Sequence, residues 1–371
     1  MKELGVSVYP EKASMEDILG YLDKAGKYGF TRVFTNLISI EEDRSVLEKF
    51  KKICYYAGER GMKVIADINP EVLKNMNITF NDMKFFHDLG LFGIRLDIGF
   101  TGLEESIMTY NPYGIKIEIN MSSGTKYLEN IIEYKPNIAN LLGCHNFYPL
   151  RYTGISRAHF NKCSEVFKSY GIPTAAFVTS PSATFGAWQD YDGLCTLEEH
   201  RDLPLETQVK DLFNTGLVDA VIIGDCYASE EELKLLGAMD RDVLSFNVEL
   251  EEGVSEIEKK IVLNETHINR GDASEYVVRS TESRVKYRGN YFKLFNPQED
   301  IKKGDLLIHS SLYERYAGEL QVALRDMKNT GKISVVGRIA PEEVFLLDYL
   351  RPWQKFRFKL RSIGSVPTGS Q

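Results

Sequence analysis

No CxxC pair occurs in the chain, although it carries five cysteines: Cys54, Cys144, Cys163, Cys195 and Cys226. An odd, widely spaced set excludes a disulfide framework and a zinc ribbon, and a reducing, cytoplasmic setting is expected. The six histidines show neither HxH nor HExxH spacing, so no histidine-built metal site is indicated. A carboxylate-held magnesium is the metal alternative left open; no metal and no cofactor is assigned. No GxGxxG fingerprint follows the first apolar run. The opening "MKELGVSVYPEK" lacks the apolar region of a signal peptide, and no run is long enough to span a bilayer. Lys and Arg number 45 against 53 Asp and Glu, a formal net charge of -8 spread along the chain. Without a clustered basic face, a nucleic-acid partner is not expected, and neither is a membrane.

What is present is a repeated pattern. Eight short apolar runs alternate with charged, helical segments: "LGVSVYP" (Leu4–Pro10), "RVFTNL" (Arg32–Leu37), "KVIADIN" (Lys63–Asn69), "GIRLDIGF" (Gly93–Phe100), "IKIEIN" (Ile115–Asn120), "LLGCHNFYP" (Leu141–Pro149), "PTAAFVTS" (Pro173–Ser180) and "DAVIIGD" (Asp219–Asp225). Intervening stretches such as "SMEDILGYLDKAGKYG" carry apolar residues at helical spacing and end at glycine. Ser14 reads as an N-cap there, with Asp17 in place of the usual glutamate. Buried strands alternating with helices mean parallel pairing with right-handed crossovers. Eight such units suit a closed (β/α)8 TIM barrel, with a doubly wound open sheet as the alternative. A chain of 371 residues exceeds the usual size of one core. Beyond about residue 239 the texture turns to valine, tyrosine, serine and charge, broken by Gly-Asp, Arg-Gly and Thr-Gly turns. The expected division is a barrel domain over 1–238, a smaller β-rich, mostly antiparallel domain over 239–363, and a loose tail over 364–371.

Active sites of barrels sit where the strands end. The polar residues there are Tyr9, Asn36, Asp67, Asn69, Asp97, Glu118, Asn120, His145, Asn146, Tyr148, Thr179, Ser180 and Asp225. Asp67, Asp97, Glu118 and Asp225 put four acids on one rim, more than packing needs, because an unpaired buried acid is costly. Asp97 and Glu118 lie on neighbouring strands and suit a general acid with a partner carboxylate. Each acid taken singly could equally cap a helix or pair with an arginine. Arg95, two residues before Asp97 and on the same face, could neutralise it. The stretch "CHNFYPLRYTGIS" gathers His145, Asn146, Tyr148, Arg151 and Tyr152 in one loop that suits a sugar or an anion, or else packs on its own aromatics. In "THINRGDASEYVVRSTESR", Arg279 and Arg284 lie beside serines and suit a phosphate, or else form ordinary surface ion pairs.

The stretches "GVSVYP", "RLDIGF", "CHNFYPLRYTGIS", "GDCYASEEEL", "NRGDASEYVVRSTESR" and "SLYERYAGELQVAL" with "VVGRI" resemble, in order and over essentially the whole chain, the DUF871 family of MupG-type 6-phospho-N-acetylmuramidases of cell-wall recycling. The resemblance implies a TIM barrel followed by a cyclophilin-like β-barrel. It also implies cytoplasmic hydrolysis of N-acetylmuramic acid 6-phosphate linked to N-acetylglucosamine. The rim acids, rather than the resemblance, supply the expected catalytic residues: Glu118 or Asp97 protonates the leaving oxygen, and another rim acid, with Asp225 as third candidate, stabilises the transition state or acts as nucleophile or base. The substrate's 2-acetamido group could replace an enzymic nucleophile. Tyr9, Asn36, Asp67, Asn120, His145, Asn146, Tyr148, Arg151 and Tyr152 are the expected substrate contacts, and Arg279 and Arg284 the expected 6-phosphate contacts. A barrel lyase or isomerase acting on a sugar phosphate, and a sugar-phosphate-binding protein without catalysis, are the rival readings. No lysine ends an inward strand, which favours the carboxylate hydrolase.

Overall fold

All eight runs become strands: β1 Glu3–Ser7, β2 Arg32–Asn36, β3 Lys63–Ile68, β4 Gly93–Leu96, β5 Lys116–Asn120, β6 Leu141–Cys144, β7 Thr174–Val178 and β8 Ala220–Ile223. Each pairs in parallel with the next, and β8 returns to β1, closing the barrel. The structure is a computed structural model and describes residues 2–37, 44–68, 70–75 and 78–361. The expected tail over 364–371 and Asn69 lie outside the described residues. Crossovers carry helices α1 Met15–Lys27, α2 Arg44–Glu59, α3 Pro70–Asn75, α4 Met83–Asp88, α5 Leu103–Met108, α6 Tyr127–Glu133, α7 Arg157–Ser169, α8 Leu205–Thr215 and α9 Glu230–Gly237. Ser14 caps α1 by accepting from the Asp17 amide at 3.1 Å. Gly29 and Gly61, just beyond α1 and α2, take φ of 79° and 72°, which L residues with side chains avoid.

Both faces of every strand are covered, which is why the strands read as continuous apolar runs. Val6, Val33, Val64, Ala66, Ile94, Ile117, Ile119 and Ile223 face the helices in one core cluster. Tyr9, Phe34, Cys144, Ala175, Phe177, Ala220 and Ile222 form the apolar filling of the barrel. The same inward face carries charge. Glu118, with no exposed surface, pairs with the buried Arg32 of β2, three strands away. This ion pair spans the interior, and burial pulls the Arg32 pKa below its ordinary value.

The chain divides into two compact units after Met239. The second contains β9 Leu244–Leu250, α10 Glu256–Asn264, β10 His267–Ile268, β11 Val277–Ser280, α11 Glu282–Lys286, β12 Asp300–Ile301, β13 Asp305–His309, β14 Leu320–Ala323, β15 Met327–Lys328, β16 Ile333–Ile339 and β17 Lys355–Leu360. Seven strands run in the order β10-β17-β9-β16-β13-β14-β11, antiparallel except for the β9–β17 pair. The two edges nearly meet. The Arg270 amide donates to the Arg279 carbonyl at 3.1 Å, and His267 Nδ1 hydrogen-bonds with Ser280 Oγ at 2.9 Å. The result is a nearly closed mixed barrel around Phe246, Ile261, Leu306, Val322, Val336 and Phe356.

Removing one partner of a buried ion pair leaves an uncompensated charge, which costs about 3–5 kcal/mol. Glu118→Gln is therefore expected to lower the urea midpoint by that equivalent, and the double variant Arg32→Met/Glu118→Leu to recover most of it. A Glu118→Gln protein as stable as the parent would contradict the account of the interior.

Candidate active site

Strand alternation decides which side chains look into the barrel mouth, and strand register decides how deep each one sits. On β4, Gly93 and Arg95 point inward, and Asp97 follows one residue past the strand. The register places Asp67 beside Arg95, Asn36 beside Asp67, and Glu118 beside Arg95. Glu118 therefore sits one level below Asp97. The β5 neighbour of Asp97 is Asn120, whose Nδ2 donates to the Asp97 carboxylate at 3.3 Å and to its carbonyl at 3.4 Å. The expected Asp97–Glu118 pair does not form, because Glu118 is turned to Arg32 and has no exposed surface.

Arg95 organises the mouth. Its Nη1 donates to Asp67 Oδ1 at 2.9 Å and to Asp97 Oδ1 at 3.4 Å, while Nη2 donates to Asp97 Oδ1 at 3.4 Å and to Asn146 Oδ1. Only 3% of its side chain is exposed, against 13% for Asp67 and 42% for Asp97. Burial opposes the Arg95 charge, but its neighbours, Asp67 foremost, outweigh that and hold its pKa above the ordinary value. Asp67 is pushed up to about 6: burial dominates, Arg95 pulls the other way, and the Asp97 charge adds to the rise. The tie that the sequence suggested between Arg95 and Asp97 is real, but the shorter contact goes to Asp67.

Asn36, Asn120, Asn146 and Tyr148 are partly exposed around this group. Asn36 Oδ1 is buried and accepts no hydrogen bond from the described residues. Burial raises the Tyr148 hydroxyl pKa, with Ser122 and Arg95 opposing. Ser122, which sequence reasoning missed, holds the Asn146 amide at 2.9 Å.

Several expected contacts lie elsewhere. Tyr9 has no exposed surface, and its hydroxyl donates to the Gly224 carbonyl at 2.5 Å, so it is filling rather than a ligand contact. His145 follows an inward Cys144 and so turns outward. Its Nδ1 meets Ser122 Oγ and its Nε2 meets Ser164 Oγ, each at 2.9 Å, and its ring stacks on Phe160. Burial lowers its pKa to about 3. It braces Ser122 from behind the wall and touches nothing in the mouth. Asp225 is 1% exposed and accepts from Thr179 Oγ1 at 2.5 Å and from the Ser180 amide at 2.9 Å. Burial raises it to about 6, but its oxygens serve the β7–β8 junction and none contacts the Arg95 group. Arg151 forms a two-pronged pair with Asp202 at 2.7 and 3.0 Å, and Tyr152 is 85% exposed. Neither joins the cluster. In the second unit, Arg279 and Arg284 converge on the fully buried Glu319 at 3.0 and 3.1 Å, so that carboxylate already engages both cations.

Among the described residues one group has metal-ligand proximity, namely Glu199, His200 and Asp211. Arg157 Nη2 already bridges Glu199 at 2.5 Å and Asp211, placing a guanidinium where a cation would sit. No described helix is long and apolar enough to cross a membrane.

A family model described as 6-phospho-N-acetylmuramidase, N-terminal, matches residues 4–238, and its C-terminal counterpart matches residues 244–359. Among solved structures, an uncharacterized B. cereus protein is 45% identical with a TM-score of 0.89, covering 96% of this chain and 99% of that one. A conserved Enterococcus faecalis protein of unknown function is 26% identical with a TM-score of 0.73, covering 97% of each chain. A search of the curated proteins gave no match. Two family models spanning nearly the whole length, over a closed eight-stranded barrel with paired carboxylates at its mouth, lead to one assignment: the chain belongs to the 6-phospho-N-acetylmuramidase family and is a glycosidase.

Proposed function

We propose that the chain hydrolyses the bond between N-acetylmuramic acid 6-phosphate and N-acetylglucosamine, with Asp67 and Asp97 as the working pair. The observation that carries this reading is the sharing of Arg95 by the two carboxylates. Asp67 keeps its proton to about pH 6, close enough to neutrality to act as general acid. It donates that proton to the glycosidic oxygen as the C–O bond breaks. Asp97, the more exposed of the two and braced by Asn120, faces the positive charge that develops at the anomeric carbon.

Two oxygens bound to one nitrogen at 2.9 and 3.4 Å lie no farther apart than the sum of those distances. For that oxygen pair the bound lies just under the roughly 6.5–9.5 Å carboxyl separation that leaves room for a water in an inverting enzyme. It favours retention, through Asp97 itself or through the substrate's 2-acetamido oxygen with Asp97 accepting the amide proton. Five buried, unpaired cysteines support a reducing compartment, and with it a cytoplasmic recycling role.

Incubation with the phosphorylated disaccharide is expected to release two monosaccharides, N-acetylmuramic acid 6-phosphate with its anomeric configuration retained in the first NMR spectra. Asp67→Asn and Asp97→Asn are each expected to lower kcat by about 10²–10⁴-fold. No cleavage of either the phosphorylated or the unphosphorylated disaccharide would sink the reading. Full activity in both variants would sink the residue assignment.

A further inference from the structure

With Arg279 turned inward, the second unit still keeps cations to spare. A cavity of about 740 Å³ opens there, lined among others by Arg284, Arg288, Arg315, Ser311, Tyr291 and Glu314. Its volume lies within the range of small-ligand sites. Arg284 is the anchored member, held by Glu319 at 3.1 Å and lying over the Tyr316 ring at 4.9 Å. Arg288 and Arg315 are exposed, and among the described residues no carboxylate, ring or carbonyl engages either guanidinium. Ser311 Oγ accepts the Phe292 amide at 2.9 Å, which leaves its own proton to donate.

Three arginines against one lining carboxylate form a positive hollow in a chain whose net charge is -8. Unpaired guanidinia present two parallel donors each, the geometry that suits phosphate oxygens. Tyr291, 78% exposed at the same wall, offers a bare ring face of the kind that covers a sugar. The cavity is far larger than one phosphate group needs.

We propose that this cavity is a binding site for a phosphorylated sugar, its phosphate held by Arg288 and Arg315 with Ser311 and its ring laid on Tyr291. The identity of the ligand class as a sugar phosphate rests on the glycosidase reading above; the anion site itself rests on the arginines.

The test is calorimetric titration of the full chain with glucose 6-phosphate, inorganic phosphate and glucose. Glucose 6-phosphate is expected to bind, phosphate more weakly, and glucose not at all. The double variant Arg288→Ala/Arg315→Ala is expected to lose affinity for glucose 6-phosphate by about tenfold or more, as loss of charged hydrogen bonds implies. Both side chains are exposed, so its ligand-free melting midpoint should match the parent's. Unchanged affinity in the double variant overturns the site. Phosphate binding as tightly as glucose 6-phosphate overturns the sugar component, and so does Tyr291→Ala binding glucose 6-phosphate as the parent does. Disaccharide cleavage is read on the same preparations. A parent that binds glucose 6-phosphate through these arginines yet cleaves nothing counts against the glycosidase reading of the barrel and leaves the anion site standing.

Discussion

A guanidinium enclosed in a barrel interior cannot stay charged without anions beside it, and much of the first unit follows from satisfying Arg95. The side chain is 3% exposed and must find acceptors within its own reach. Register supplies Asp67 from β3, the chain just past β4 supplies Asp97, and the loop after β6 supplies Asn146. One cation serves two carboxylates, and burial holds the more enclosed of them, Asp67, above its ordinary range. Below it, Arg32 and Glu118 solve the same problem as a closed pair, with no exposed carboxylate surface left over for chemistry. Two arginines in one barrel thus do different work, because one sits with a single acid out of reach of solvent and the other with two acids at the rim.

The barrel was legible because alternation of apolar runs with capped helices has few other solutions at this length, and the eight runs quoted from the sequence are the eight strands. The rim was legible as a set of polar strand ends. What the sequence could not show was depth. Glu118 and Asp97 differ by one inward level, and only the pairing of Arg95 with Glu118 reveals it. Strand length had the same effect: "LLGCHNFYP" reads as one strand, but β6 stops at Cys144. His145 was misread for a simpler reason. Alternation turns it to the helix side whenever Cys144 faces inward, and the two adjacent positions cannot both line the mouth. The one available sign of the hub was an arginine at an inward position of an apolar strand, which demands anions as partners.

The second unit shows the same economy. Glu319 is fully buried and gathers Arg279 and Arg284, so the serine- and arginine-rich stretch serves first to close that barrel's interior. The nearly complete ring of strands leaves its chemistry to the segment around α11 and the turn before β14, where arginines face an open hollow. Family membership covers both units, so an eight-stranded barrel and a second barrel of separate core belong together in one glycosidase.

The central claim is that Asp67, held at a raised pKa beside Arg95, is the acid. Asp225 is raised to about the same value by burial, so stability alone does not tell the two apart. The pH dependence of kcat/KM on the phosphorylated disaccharide does. The parent should lose activity as pH rises through about 6, where Asp67 gives up its proton. Asp225→Asn should keep that limb, and the residual activity of Asp67→Asn should lack it. A limb that disappears in Asp225→Asn and persists in Asp67→Asn would contradict the account.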